Sequence, residues 1–255
     1  MRKLLILLTL LMGIVTITGC GQDSADKSNK STLRVGTDAS RVPFAFQDEQ
    51  SQKYSGFDLD IIKAIAQSQN LKIKISSVSS DNLIPALQSG DLDIVISNMA
   101  VTPEREEQVF FSEPYCASGY GIIAPKKNGY VREGEDLAGL RTGIVKGSPA
   151  ADAVRKIVGT DGAKFEEFAT MEEAMESLKA GDLDVVVNDI LSNNYYYKKI
   201  GKDYARIVDN AISNENLAIA VAKGNAELLD KINKGLADIK ANGEYDKIYK
   251  RWFGN

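Results

Sequence analysis

Residues 86–98 read ALQSGDLDIVISN, and residues 177–189 read SLKAGDLDVVVND. Each copy passes from a helix end through Gly and Asp-Leu-Asp into an apolar run that stops at polar residues. Gly90 and Gly181 suit the left-handed position that closes a helix. The runs Ile94-Val95-Ile96 and Val185-Val186-Val187 are continuous rather than alternating. That is the pattern of strands buried on both faces, as in a parallel sheet covered by helices. Such sheets bind ligands just beyond the carboxyl ends of their strands. Those ends here are Ser97-Asn98 and Asn188-Asp189. The duplication predicts an α/β protein of two similar lobes, whose polar strand ends line one cleft if the lobes face each other. Only GDLD and its flanks repeat, so coincidence between two ordinary helix–strand units is the competing explanation.

A chain of 255 residues has room for two domains. With 44% hydrophobic and 26% charged residues, it is expected to fold. A net charge of −4 offers no broad basic field, so nucleic acid is not an expected partner. Histidine is absent, which removes the usual general base and the commonest metal ligand. Without His or a Cys pair, neither a metal centre nor another cofactor is expected.

The two cysteines have different settings. Arg2 and Lys3 precede a short apolar run, Leu4 to Thr18, that ends in Ile17-Thr18-Gly19-Cys20. The run is too short for a membrane span and reads as a secretory signal over 1–19. Its end resembles the lipobox of bacterial lipoproteins, in which the cysteine is lipidated and becomes the mature N-terminus. Residues 20–31 then form the lipidated Cys20 and a polar, flexible tether. The protein is expected outside the cytoplasm, held on the cell membrane through Cys20. Cys116 is left without a partner, so no internal disulfide supports the fold.

Along the chain, strands are expected at Leu33–Thr37, 71–76, 94–96, 119–124, 141–146, 165–169, 185–187, 207–208 and 217–222. Helices are expected over 58–69, 82–89, 150–158, 171–180, 191–200, 226–242 and 244–253. Leu229, Ile232, Leu236 and Ile239 mark the inner face of the long C-terminal helix. Thr102-Pro103 and Ser148-Pro149 both read as N-cap followed by Pro at the first helical position. A helix start at the end of a strand favours an anion. Arg105 lies on the first turn, where positive charge opposes the helix dipole. It either serves an anion there or is a surface arginine paired with Glu106 or solvent.

Taken in order, GTDAS-RVPFAF, SGFDLDI, IPALQSGDLDIVISN, VTPERE, FSEPY, GDLDVVVND and NGEYDKIYKRWFG resemble the polar amino-acid-binding proteins of bacterial ABC importers, family 3 of the extracellular solute-binding proteins. The resemblance spans 33–254 and implies a two-lobed periplasmic-binding-protein fold, two sheets flanked by helices with a hinge between lobes. Lobe 1 would comprise 32–116 plus 216–255. Lobe 2 would comprise 117–215, with hinge segments at both ends. Partners implied are a small-molecule amino acid and the membrane permease of an importer, bound by a monomer. By the same resemblance Arg105 takes the α-carboxylate, Asp189 the α-ammonium, and Asp38 lies near the ligand side chain. Ser97, Asn98 and Ala100 offer strand-end groups, and Gly147, Ser148 and Pro149 form a second helix start whose amides reach the carboxylate. Pro149 has no N–H for that contact.

Two positions depart from the family pattern. Relatives that bind glutamine or basic amino acids clamp the side chain between aromatic rings, and those positions here are Arg41 and Ser80. A cation at Arg41 points to a polar, non-cationic ligand, unless Arg41 pairs with Asp38 or reaches solvent. Two other functions stay open. One is an enzyme on the same fold, resembling the dehydratases that act on cyclohexadienyl acids, although no nucleophile–base constellation stands out. The other is a sensor module, which would be expected to continue into a membrane span, whereas this chain stops at Asn255.

Overall fold

The structure, a computed structural model, describes residues 32–48 and 51–254. The signal peptide, the lipobox at Cys20 and the tether expected over residues 1–31 lie outside the described residues.

The chain runs β1 (Leu33–Thr37), β2 (Ser40–Arg41), β3 (Ala45–Gln47), β4 (Tyr54–Ser55), α1 (Phe57–Ser68), β5 (Ile73–Ser77) and α2 (Ser80–Gln88). It continues through β6 (Ile94–Val95), α3 (Pro103–Glu106), β7 (Val109–Phe111), β8 (Cys116–Ser118) and β9 (Tyr120–Pro125). Next come β10 (Arg141–Val145), α4 (Ala150–Val158), β11 (Lys164–Phe168), α5 (Met171–Ala180), β12 (Val185–Asp189) and α6 (Ile190–Tyr196). The last elements are β13 (Ala205–Ile207), β14 (Glu215–Leu217), β15 (Ala220–Ala222), α7 (Ala226–Ala241) and α8 (Glu244–Phe253).

Among the described residues the main strands form two five-stranded sheets, ordered β5-β1-β6-β15-β7 and β11-β10-β12-β9-β13. In each, three parallel strands are followed by two that pair antiparallel. The repeated GDLD has the same task in both. Asp93 accepts from the Arg34 backbone N–H, Nε and Nη2 at 2.7, 3.0 and 2.9 Å. Asp184 accepts from the same three groups of Arg141 at 2.9, 3.2 and 2.9 Å. A bidentate guanidinium–carboxylate fork has one favoured geometry, so it holds the entry of β6 beside β1 and of β12 beside β10. Gly90 and Gly181 have φ of 77° and 91°, as a helix-ending residue before that strand requires.

The sheets differ in where the fourth strand comes from. The first sheet takes β15 from the C-terminal part of the chain, and the second takes β9 from the segment just after β8. The chain therefore crosses between sheets twice. The crossings run side by side: β8 and β14 pair antiparallel, Ser118 opposite Glu215 and Cys116 opposite Leu217. The buried side chains of the first sheet pack against α1, α7 and α8, with Phe57 and Phe253 in edge contact at 4.9 Å. Those of the second pack against α4 on one face and α5 on the other.

Several expectations are corrected. The apolar run 217–222 is two strands, because β14 pairs within the crossing and β15 within the first sheet. Pro149 is itself the N-cap of α4, so Ser148 caps nothing. The helix at Thr102 is a single turn, although Thr102 does cap it by accepting from the Arg105 N–H. After Tyr196 the chain widens into a π turn, Tyr197–Gly201. Leu228, not Leu229, is the buried leucine at the start of α7.

Gly119 joins β8 to β9 at φ 145°, and a Cβ there would collide with the carbonyl of Ser213 on the returning segment. Gly119→Ala is therefore expected to destabilise by about 1–3 kcal/mol from backbone strain alone. A lowered urea midpoint checks this; an unchanged midpoint would show that the crossing yields freely.

Candidate functional site

The carboxyl ends of β6 and β12 open on three adjoining cavities of about 230, 210 and 370 Å³. Tyr120, at the start of β9, borders all three. Arg41 and Asn98 face Ser148 and Asp189 across the first cavity. Ser80, Ser97, Asn98 and Ala100 face Gly147 and Pro149 across the second, which Arg105 and Glu215 also border. The third extends past Arg105, Pro149 and Glu215 to Lys156. Ten of the residues singled out in the sequence thus border one cleft. Asp38 stands behind its wall.

Local chemistry explains their placement. The Asp38 backbone N–H donates to Ser97 Oγ at 2.9 Å, which ties the end of β1 to the end of β6. Asp38 Oδ2 accepts from the Ser80 N–H and hydroxyl at 3.2 and 2.6 Å, at the start of α2. Asp189 is the N-cap of α6: its Oδ1 accepts from the Leu191 and Ser192 N–H groups at 2.9 and 3.0 Å. Its Oδ2 accepts from Ser118 Oγ in the crossing at 2.6 Å. Arg105 is steadied by donation from Nη1 to the Ala100 carbonyl at 2.8 Å. Because α3 is one turn long, the guanidinium and not a helix dipole is what an anion meets there.

Burial tunes the carboxyls. It pushes Asp189, 8% exposed, up to about 6 against the hydrogen bonds from Ser118, Ser192 and Leu191. It also raises Glu215, with Arg105 pulling the other way. For Asp38 burial works upward too, but the hydrogen bonds from Ser80 and Ser40 together with Arg41 leave it below its ordinary value. Around the Tyr120 hydroxyl the fields of Glu215, Asp189, Arg41 and Arg105 all act at once.

The two walls meet. Ser192 Oγ donates to the Val42 carbonyl at 3.2 Å, and Lys198 Nζ donates to the Phe253 carbonyl. Among the described residues Asn98 Oδ1 and Ser148 Oγ are buried without a hydrogen-bond partner, one on each wall. An unpaired buried polar atom is costly, and these two belong to residues that border the same cavity, which makes them candidates to meet polar ligand groups.

Several residues of the site are not singled out in the sequence, although Asp58 and Tyr115 stand within the motifs SGFDLDI and FSEPY. Asp58 in α1 is fully buried and pushed up to about 7 by that burial. It accepts from Tyr115 Oη at 2.7 Å and from the Asn98 N–H at 2.6 Å, and Asn98 has φ 46°. An Asp in the first turn of a helix looks like an ordinary dipole partner, so only the fold reveals that it carries the cleft wall. Ser118, Tyr120 and Glu215 likewise come in through the crossing.

Residues 33–255 match the model of the bacterial extracellular solute-binding proteins, family 3, and the chain belongs to that family. The arginine-binding extracellular protein of Bacillus subtilis (strain 168) is 31% identical over 255 residues, covering 99% of this chain and 98% of that one. An ancestral arginine-binding protein solved with arginine is 44% identical, covers 88% of this chain and 98% of its own, and superposes with a TM-score of 0.75. An ancestral amino-acid-binding protein described as a precursor of cyclohexadienyl dehydratase is 37% identical over 87% of this chain and 95% of its own, with a TM-score of 0.75. Among the described residues no helix is long and apolar enough to cross a membrane.

Tyr115→Phe removes one of the two donors that compensate the buried Asp58. The loss should lower stability by about 1–3 kcal/mol, the penalty of an under-satisfied buried polar group. Urea denaturation at neutral pH measures it, and an unchanged midpoint would mean that Asp58 does not need Tyr115.

Proposed function

We propose that the protein captures a free α-amino acid in this cleft and delivers it to the membrane permease of an ABC importer. The observation that carries the reading is that Arg105, Asp189, Arg41 and Glu215 border adjoining cavities that meet at Tyr120. An amino acid brings one carboxylate and one ammonium at a fixed separation. Arg105 suits the carboxylate, because a guanidinium fork accommodates both oxygens. Asp189 suits the ammonium, since three donors occupy about three of its four acceptor sites and leave one. The unpartnered Asn98 Oδ1 and Ser148 Oγ would complete the grip, with backbone groups near Ser97, Ala100 and Gly147. Pro149 contributes shape only.

In this reading 32–116 plus 216–255 form one lobe and 117–215 the other. They close about β8 and the segment 209–215, a hinge with two strands. The protein works as a monomer outside the cytoplasm, tethered through a lipidated Cys20. The family membership, the amino-acid-binding relatives and the donor pattern of the cleft support the capture of an amino acid, and the lipobox-like end at Cys20 supports the tether. A dehydratase-like enzyme is the second reading, suggested by the likeness to the dehydratase precursor. Incubation with a cyclohexadienyl acid, followed by NMR, separates the two: release of a changed product would favour the enzyme.

Arg105→Ala should reduce amino-acid affinity by about 2–5 kcal/mol, since a charge-assisted fork is lost and the ligand carboxylate is left unpaired. Calorimetry tests this, and near-wild-type affinity in a folded variant would remove Arg105 from the site. Binding should also depend on pH through Asp189. The ammonium needs the carboxylate form, and the unliganded group titrates near about 6. From neutrality up to the alkaline range in which the ligand's own ammonium loses its proton, affinity is flat. Below about 6 a proton must leave before the ammonium can bind, so affinity falls by up to about tenfold per pH unit. Equal affinity at pH 5 and pH 7.5 would count against an ammonium at Asp189.

A further inference from the structure

Arg41, Ser80 and Asp38 form a polarised chain on the first-sheet wall of the cleft. Arg41 Nη2 donates to Ser80 Oγ at 3.2 Å, and Ser80 Oγ donates onward to Asp38 Oδ2 at 2.6 Å. That oxygen also accepts the Ser80 backbone N–H at 3.2 Å. Asp38 Oδ1 accepts the Ser40 N–H and hydroxyl at 3.1 and 2.7 Å. A carboxylate has about four lone-pair sites, and the protein itself fills those of Asp38. The Arg41 Nε stands 3.7 Å away, close enough for attraction but not for a hydrogen bond.

The guanidinium is in the opposite condition. It has five N–H donors in a rigid fork. Among the described residues it makes one hydrogen bond, to Ser80. Its side chain borders two of the three cavities and is 26% exposed. Of the other carboxylates on these walls, Asp81 is exposed to solvent, and the less exposed ones are engaged. Asp189 is held by three donors. Glu172 accepts from Tyr196 Oη at 2.9 Å and pairs with Lys199 at 3.4 Å. Glu215 shares its cavity with Arg105, which acts on it electrostatically.

Asp38 is therefore filled while the Arg41 fork has donors to spare; the acceptors still open beside it are the neutral Asn98 Oδ1 and Ser148 Oγ and the one site of Asp189 left for the ammonium. We propose that the ligand is an amino acid whose side chain ends in a carboxylate or a carboxamide, taken by the Arg41 fork. The inference rests on the amino-acid reading above and names its side-chain class. A guanidinium binds such a planar acceptor with two parallel, charge-assisted hydrogen bonds. A lysine or arginine side chain in the same place would meet a like charge that Asp38 offsets only in part, and would find no acceptor free on Asp38 for its own N–H groups. The role of Asp38 is thus to position Arg41 through Ser80 rather than to touch the ligand.

Calorimetry with L-glutamate, L-glutamine, L-lysine and L-arginine tests this on the full chain and on Arg41→Met. Glutamate or glutamine is expected to bind at least about tenfold more tightly than either basic amino acid. Arg41→Met should abolish that advantage while its circular dichroism stays unchanged. If Arg41→Met does not fold, Arg41→Lys keeps the charge and loses the fork. It should then bind the acceptor ligands more weakly, and unchanged affinity in that variant would overturn the proposal. Tightest binding of lysine or arginine by the wild type would also overturn it, and would assign the pocket's charge to Glu215. An unaltered ranking in Arg41→Met would place Arg41 outside the site. A thermal-shift screen of all twenty amino acids keeps the two readings apart: no shift with any of them sinks the amino-acid function itself, whereas a shift led by a basic amino acid sinks only the side-chain class.

Discussion

A carboxylate taken wholly out of water binds together most of what faces the cleft. Asp58 sits at the start of α1, accepts the Asn98 N–H at the end of β6 and accepts Tyr115 Oη just before the first crossing. Burying such a group is unfavourable unless donors meet it, and here two do. Asp189 repeats the arrangement on the opposite wall, with Ser118 of the crossing as its third donor. The segment 115–118 is thereby hydrogen-bonded at one end to the carboxylate of one wall and at the other end to that of the second. The two charges also lie near enough for Asp189 to raise Asp58 further. Cleft and crossing are consequently one polar network. A ligand cation that draws Asp189 toward its ionised form acts on the group that grips the crossing.

The repeat answers to a structural need rather than to chemistry. Parallel strands meet only their helices and each other, so nothing in their apolar side chains fixes how far one slides along the next. The Arg34–Asp93 and Arg141–Asp184 forks supply that register at the entry of each sheet, using the last residue of GDLD. Register then decides which residues emerge at the far ends: Ser97-Asn98 in one sheet, Asn188-Asp189 in the other. Half-exposed ion pairs add little to stability, yet they set the geometry on which the site depends.

Local signals were legible and distant ones were not. The doubly buried runs, the turn at Thr102, the bounds of α5 and the C-terminal helices follow from neighbours within a few residues. The division of 217–222 between two sheets does not, because an apolar strand looks alike whichever partner it pairs with. Pro149 as N-cap is invisible for a related reason: Ser-Pro fits both a cap followed by its first residue and a loop ending in the cap. Most of the cleft-facing residues could be named from the family motifs. The roles of Asp58, Tyr115 and Ser118 could not, although Asp58 and Tyr115 stand within SGFDLDI and FSEPY, since their meaning lies in contacts between residues 57 and 71 positions apart.

The cleft separates two kinds of grip by where the side chains are rooted. Asp189 caps α6, Ser97 ties β1 to β6, and Asn98 is held by Asp58, so the residues suited to the constant part of an amino acid are bound into core elements. Arg41 lies on the two-residue β2, and Ser80 is the first residue of α2. Neither contributes to a buried cluster. Replacing them disturbs little packing, and their polar partners, Asp38 and Ser40, lie on the same stretch of wall. A ring and a guanidinium can both stand at position 41 over the same backbone. Family likeness accordingly speaks for an α-amino acid, while under the proposal made for Arg41 the side chain it carries is read at two positions that the fold leaves free to differ.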